Sequence, residues 1–119
     1  MKDIIIADNN EVNATLYKIF LNNHFPNYRV HSVTDGDAAS KQIKASGDNL
    51  EMVLTELPLS VKTGLEIAKE AKTNNPDVYV GFVTAQPESA VANVDYDFYH
   101  QIPIETLKLY FQISKFLKD

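Results

Sequence analysis

A short, nearly continuous apolar run near the start of the chain, Asp3–Ala7, constrains the fold more than any other feature. A strand with one face in water alternates apolar and polar residues, whereas this run contains three consecutive isoleucines. Unbroken apolar runs of this length are typical of strands that are covered on both faces of a parallel sheet. The run therefore predicts a parallel sheet with other elements packed on both sides.

Four further segments are predicted to be strands, because they are rich in β-branched or aromatic residues and lie between turn signals. They are Tyr28–Val33, Met52–Thr55, Val78–Val83 and Asp97–Ile102. Helical patterns separate these segments from one another. Five strands alternating with helices predict one doubly wound α/β domain spanning residues 1–119.

The helices are predicted from apolar spacing and from capping residues. The first helix runs to about His24, its start can be capped by Asp8-Asn9-Asn10, and its predicted buried face is Val12, Leu16, Ile19 and Phe20. The others run from Asp35-Gly36 to near Gly47, from Thr63 to about Asn75, and from Pro103 to about Lys118. Thr63 and Glu66 have capping-box spacing, which marks the start of the third helix.

Composition excludes several classes of function. The net charge is −5 and the basic residues are scattered, so direct nucleic-acid binding is not expected. The chain has no cysteine, which excludes disulfides and thiolate metal sites. No apolar run approaches the length of a membrane span or of a signal peptide. The predicted location is the cytoplasm, with no membrane partner.

Glu56 is the first candidate site residue, because it ends the third predicted strand. In an open α/β sheet, ligands and reactive groups collect at the carboxyl ends of the central strands. Similar short motifs follow the other strands: Ile-Ile-Ala-Asp8-Asn9, Thr34-Asp-Gly36, Val-Leu-Thr-Glu56 through Thr63-Gly64-Leu-Glu66, Phe-Val-Thr84-Ala85 and Ile102-Pro103.

In order and spacing, these motifs resemble the receiver domain of bacterial response regulators, the CheY-like family, over nearly the whole chain. The resemblance implies a flavodoxin-like sheet in the order 2-1-3-4-5 and a role in two-component signal transduction. In that family an acidic pair binds Mg²⁺, an Asp accepts a phosphoryl group, and a hydroxyl and a lysine hold the phosphate. The acidic pair falls on Asp8 and Asn9, the acceptor on Glu56, the hydroxyl on Thr84, the lysine on Ile102 and the switch aromatic on Tyr99.

Three of these positions depart from the family pattern. Asn9 offers Mg²⁺ a neutral oxygen where the cation prefers a carboxylate. Glu56 is one methylene longer than Asp, which displaces the acceptor from its reacting geometry. Ile102 removes the cation that would neutralise phosphoryl charge. We therefore predict a degenerate receiver (a pseudo-receiver) that is not an enzyme and works through protein contacts.

Mg²⁺ binding at Asp8, Asn9 and Glu56 is expected to be weak at most, and no other cofactor is expected. One alternative is a receiver that retains slow phosphotransfer or metal binding through Asp8 and Glu56. Another is a small-ligand sensor that uses a pocket left by Ile102 and Gly81. Glu56 itself is interpreted as a structural remnant rather than an imitation of phosphorylated Asp, and a pairing with Lys62 is a further option.

The last helix carries a second apolar face. Family register directs Leu109, Ile113, Phe116 and Leu117 towards the sheet, which leaves Ile104, Leu107, Tyr110 and Phe111 on the other side. This stripe predicts a protein partner or a homodimer through the face formed by the fifth strand and the last helix. Ile102 follows Thr84 by only 18 positions, about four fewer, or roughly one helical turn, than the resemblance to the family implies. The fourth helix is therefore expected to be short, distorted or absent. Alternatively, the segment Gln86–Asp95 folds over the stripe and buries it. His100 is expected at the surface or at an edge.

Overall fold

The computed structural model describes residues 1–117. Its strands are β1 (Lys2–Ala7), β2 (Tyr28–Val33), β3 (Leu50–Thr55), β4 (Tyr79–Thr84) and β5 (Phe98–Gln101). They form one sheet in the order β2-β1-β3-β4-β5, and every neighbouring pair is parallel. The predicted flavodoxin-like order is confirmed.

Four α-helices connect or follow the strands: α1 (Glu11–His24), α2 (Gly36–Ser46), α3 (Gly64–Asn74) and α4 (Thr106–Ser114). Side chains of Asn10, Asp35 and Thr63 accept backbone N–H groups at the starts of α1, α2 and α3. The predicted end of the last helix, Lys118, lies outside the described residues. Within residues 1–117, no helix has the length and apolar character needed to cross a bilayer.

The sheet separates two hydrophobic cores, and β1 contributes to both. Ile4 and Ile6 pack on the side of α1 and α4, in a core that also contains Leu21 and Ile113. Ile5 and Ala7 pack on the other side, against α2 and α3. Because successive strand residues point to opposite faces, a strand between two cores must be apolar at every position. This accounts for the unbroken isoleucine run.

A single 3-10 turn, Glu88–Val91, stands between β4 and β5 where the family pattern would place a helix. The prediction of a short, distorted or absent fourth helix is therefore confirmed. Val91 is fully buried in the core on the α2/α3 side, with Val94 and Tyr96 packed around it. The alternative in which this segment covers the last helix is wrong, because the segment is anchored on the opposite face of the sheet.

The predicted buried face of α1 is wrong for three of its four residues, and only Phe20 packs, half-buried, against the core. Val12, Leu16 and Ile19 are exposed, and the buried positions of the helix are Ala14 and Leu21. The helix carries apolar residues on two faces, so spacing alone did not distinguish them. Contact with the sheet selects the face containing Ala14, whose small side chain permits close approach of the helix.

Gly81 in β4 makes room for an aromatic ring. A Cβ atom at this position would clash with the ring of Phe98, which stacks on Phe116 with ring centroids 5.9 Å apart. The space beside Gly81 is therefore filled by the protein's own core. The small-ligand sensor that was considered for a pocket at Gly81 and Ile102 is not supported by this packing.

Gly81→Ala is expected to destabilise the domain by about 1–3 kcal/mol, because the added methyl group overpacks the ring of Phe98. Chemical denaturation gives the free energy of unfolding. In the Phe98→Leu background, the same substitution should cost less, since the clashing ring is gone. An equal cost in both backgrounds would show that the ring contact is not what requires glycine.

Candidate functional site

Asp8, Glu56 and Thr84 meet at the carboxyl edge of the sheet. Ala7 and Thr55 are paired in the parallel register, and the backbone N–H of Glu56 donates to the carbonyl of Ala7 at 2.9 Å. Thr84 ends the next strand, β4. Parallel pairing therefore brings together three of the positions predicted from sequence.

Asp8 is a buried carboxylate with one unused oxygen. Its Oδ1 accepts the N–H of Asn10 at 2.8 Å, and its Oδ2 is buried with no hydrogen-bond partner among the described residues. Burial raises the pKa of Asp8 above its ordinary value. The capping interpretation is correct for Asn10, whose Oδ1 accepts the N–H of Asn13 at 3.0 Å. Asn9 is exposed.

The carboxylate of Glu56 is turned back onto its own loop. Its Oε1 accepts the backbone N–H of Leu57 at 2.8 Å. Gly64 lies directly against the carbonyl of Glu56, where any Cβ atom would collide with the oxygen. The loop that leaves β3 is thus closed tightly around this residue.

Lys62 does not pair with Glu56, so that interpretation is wrong. Its Nζ lies 3.1 Å from Glu70 of α3 and donates to the hydroxyl of Ser40 at 2.8 Å. Glu70 also accepts a hydrogen bond from Ser40. The loop lysine therefore belongs to a polar network between α2 and α3, directed away from the carboxyl edge.

Thr84 and Tyr99 both bind the loop after β4. Thr84 is fully buried, and its Oγ1 accepts the N–H of Gln86 at 3.2 Å. The hydroxyl of half-buried Tyr99 donates to the carbonyl of Gln86. Ile102 packs against the core on the α1/α4 side. An apolar side chain therefore occupies the lysine position, and the switch hydroxyl serves the local backbone.

Tyr17 is influenced by the charges of Asp8 and Glu56, and the sequence did not identify it as a site residue. Burial raises its pKa to about 12, and the negative charges of Asp8 and Glu56 add to the shift. The residue is half-buried on α1, between Ala14 and Leu21. Helical spacing places Tyr17 on the same face as these two residues. The sequence prediction took the opposite face of α1 as the buried one and therefore did not identify Tyr17.

His100 is fully buried, and its prediction as a surface or edge residue is wrong. Its Nε2 accepts the backbone N–H of Glu105 at 3.1 Å, which assigns the proton to Nδ1, 2.8 Å from Oε1 of Gln112. Gln112 in turn donates to the carbonyl of Tyr99 at 2.9 Å. These bonds tie β5 to the start of α4. In the sequence, this network is indicated only by Gln112, a polar residue next to the sheet-facing positions of the last helix.

The predicted interface residues divide into two pairs. Leu107 and Phe111 are exposed, whereas Ile104 and Tyr110 are half-buried against the core on the α1/α4 side. The ring of Tyr110 lies 5.7 Å from that of Phe25. Two of the four predicted interface residues therefore pack against the core, and the other two face solvent.

The donor atoms at this edge form an incomplete site for Mg²⁺. The cation prefers several carboxylate or carbonyl oxygens in an octahedral arrangement. Here Asp8 offers one free oxygen, Asn9 is neutral and exposed, and Glu56 is engaged by the N–H of Leu57. In the part of the chain that the structure describes, no group of three His, Asp or Glu residues is placed to hold a metal ion.

Comparison with known proteins gives one family. Residues 4–101 match the response regulator receiver domain. No curated protein matches the sequence significantly.

Several solved structures share the fold. The response regulator TrrA from Thermotoga maritima, solved with Mg(2+)-BeF, is 22% identical with a TM-score of 0.85, over 98% of this chain and 100% of that one. A receiver domain protein from Clostridium thermocellum is 16% identical with a TM-score of 0.83, over 97% and 93%. The receiver domain of a Pseudomonas aeruginosa sensor histidine kinase, solved with magnesium in its active-site cleft, is 21% identical with a TM-score of 0.80, over 97% and 96%.

Asp8→Asn is expected to raise the free energy of unfolding at pH 7, and Tm with it. Burial raises the pKa of Asp8 in the folded protein, so ionisation opposes folding. The free-energy cost of ionising Asp8 is absent at a pH where this residue is protonated in both the folded and the unfolded protein. It is fully present above the raised pKa of the folded protein. The gain should therefore shrink as the pH falls towards 4. Asn retains an acceptor for the N–H of Asn10.

The measurement is thermal unfolding between pH 4 and pH 7, with Asp35→Asn as the matched control. Asp35 also accepts a backbone N–H at a helix start, from Ala38 at 2.7 Å, but it is not a buried residue. Its substitution to Asn keeps the acceptor for the N–H of Ala38 and should change stability little. A loss of stability in Asp8→Asn would contradict the interpretation of Oδ2 as a buried, unpaired charge.

Proposed function

This chain belongs to the response regulator receiver family, and we propose that it is a pseudo-receiver within two-component signalling. In this proposal it acts by binding other protein surfaces and is not switched by phosphorylation of its acceptor position. Glu56 then has a structural role in the loop after β3.

The observation that carries the proposal is the hydrogen bond from the N–H of Leu57 to Oε1 of Glu56 at 2.8 Å. A phosphoryl acceptor needs a carboxylate oxygen that is free and aimed at the incoming phosphorus. Here one oxygen is held by the adjacent backbone, and the longer side chain changes the position of the other. Both features argue against a reacting geometry at this position.

The absence of a cation at position 102 supports the same proposal. A phosphoryl group would bring further negative charge towards Asp8 and Glu56, while Ile102 provides no compensation. One favourable charge pair at 4 Å is worth on the order of 4 kcal/mol at an effective dielectric constant of 20. Lys62 does not replace it, because its ammonium is held by Glu70.

An imitation of the phosphorylated state is less well supported than a structural role. Such imitation requires the switch hydroxyl to turn towards Glu56. The Oγ1 of Thr84 and the hydroxyl of Tyr99 instead bond the N–H and the carbonyl of Gln86. The loop after β4 is thus held by its own contacts, independently of the charge on Glu56.

Phosphorylation with acetyl phosphate and Mg²⁺ tests the proposal. Intact mass spectrometry should detect no acid-labile phosphate on the wild type. The variant Asn9→Asp/Glu56→Asp/Ile102→Lys, which restores the family pattern, should gain reactivity. Stoichiometric phosphate on the wild type, lost on Glu56→Gln, would overturn the proposal.

One observation favours a second candidate, weak Mg²⁺ binding through Asp8 and Glu56: Oδ2 of Asp8 is buried and unpaired. Titration with Mg²⁺ to millimolar concentrations, followed by amide NMR, distinguishes a pseudo-receiver from a domain that binds Mg²⁺ weakly. A pseudo-receiver should show no saturable shifts at these two residues. Saturable shifts that disappear in Asp8→Asn would favour the metal-binding alternative.

A further inference from the structure

The last helix differs from the other three in how its start is held. Side chains of Asn10, Asp35 and Thr63 accept backbone N–H groups at the starts of α1, α2 and α3. Within residues 1–117, no side-chain capping bond forms at the N-cap residue of α4, Glu105. The backbone N–H of Glu105 donates instead to Nε2 of His100 on β5, at 3.1 Å. The start of α4 is therefore tied to the sheet through an imidazole.

A chain of three hydrogen bonds runs through this imidazole. The side-chain amide of Gln112 donates to the carbonyl of Tyr99 at 2.9 Å, and its Oε1 lies 2.8 Å from Nδ1 of His100. A backbone carbonyl only accepts and a backbone N–H only donates, so both ends of the chain have a fixed direction. All three bonds form only when His100 is neutral, carries its proton on Nδ1 and accepts the N–H of Glu105 at Nε2.

His100 is fully buried, and among the described residues no carboxylate forms a hydrogen bond or an ion pair with it. The titratable side chains that pack on the same core are Tyr17, Tyr28, Tyr79 and Tyr110, and the exposed ones of α4 and of the end of α1 are Glu105, Lys108, Lys115 and His24. Glu105 is the one carboxylate in this set, and it is exposed. A second proton on His100 would therefore place a charge in the core with no counter-ion in contact.

We propose that His100 is a proton-sensitive clasp on the first turn of α4. When the imidazole binds a second proton, Nε2 becomes a donor that faces the donor N–H of Glu105, and this hydrogen bond is lost. The bond is present while His100 is neutral and disappears as the pH falls and the imidazole is protonated. Leu109 and Ile113 remain buried in the core, so the helix stays docked and only its first turn is released.

The first turn of α4 is part of the surface that the sequence predicts to bind a partner. It carries Leu107, which is 68% exposed. Release of this turn moves Leu107 relative to the rest of the helix, so the clasp makes this part of the surface responsive to pH. The inference goes beyond the proposed function, because it concerns a proton on β5 and does not depend on the chemistry at Glu56.

Amide hydrogen exchange of the full chain between pH 5 and pH 8 tests the clasp. The N–H of Leu109 bonds to the carbonyl of Glu105 at 2.9 Å, and the N–H of Ile67 makes the corresponding bond to Thr63 at 3.1 Å in α3. After correction for intrinsic exchange rates, protection of Leu109 should fall about tenfold towards pH 5, since its helix start loses a hydrogen-bond partner. Protection of Ile67 should stay constant, because the Thr63 cap does not titrate.

Two variants assign the effect to one imidazole. His100→Gln keeps an acceptor and a donor but does not titrate, so protection of Leu109 should no longer depend on pH. His24→Gln is the matched control, since His24 is exposed on α1 and its ring lies 5.2 Å from that of Tyr110 on α4. This variant should keep the pH dependence of the wild type.

Constant protection of Leu109 in the wild type overturns the clasp. A pH dependence that survives in His100→Gln, or one that disappears in His24→Gln, also overturns it. If His100→Gln does not fold, nitrogen NMR of the wild-type imidazoles takes its place. His100 should then carry its proton on Nδ1 at pH 8, and its protonation should coincide with the loss of Leu109 protection; a mismatch contradicts the clasp. None of these results involves phosphorylation, so failure of the clasp and failure of the proposed function are distinguishable.

Discussion

Burial of β1 on both of its faces is the constraint on which the rest of the structure depends. A strand with Ile4 and Ile6 on one side and Ile5 on the other is stable only if helices cover both sides. Parallel pairing with β3 then brings the residues after both strands to one edge. The position of Asp8 beside Glu56 follows from this arrangement, whatever chemistry the two residues retain.

The carboxyl edge keeps the shape of a receiver site while its charges are arranged differently. The cation expected at position 102 is replaced by an apolar side chain that joins the core, and Lys62 is committed to Glu70. Two carboxylates therefore lie near the phenol of Tyr17 without a cation of the family type. Burial and these charges together explain why the pKa of Tyr17 rises. The site is held together by backbone hydrogen bonds to Asp8, Glu56 and Thr84.

The region between β4 and α4 connects this site to the surface. A 3-10 turn precedes the four-residue strand β5, and buried His100 ties this strand to the start of α4 through the N–H of Glu105. The orientation of α4 is thereby fixed by a neutral imidazole and by Gln112. The ring of Tyr110 on α4 lies 5.2 Å from that of His24, so α4 contacts the C-terminal end of α1.

The sequence by itself determined the positions of the strands and helices and which residues follow each strand, because these depend on local periodicity. The sheet order was implied by the resemblance of its motifs to a known family. The sequence also identified Asn9, Glu56 and Ile102 as departures from the family pattern. The tertiary structure decided which face of α1 is buried, the burial of His100, the partner of Lys62 and the reason for Gly81. Each of these depends on a neighbour distant in sequence, such as Phe98 beside Gly81 or Gln112 beside His100. Helical spacing reveals that an apolar row exists, and only packing determines whether the row faces the core or the solvent.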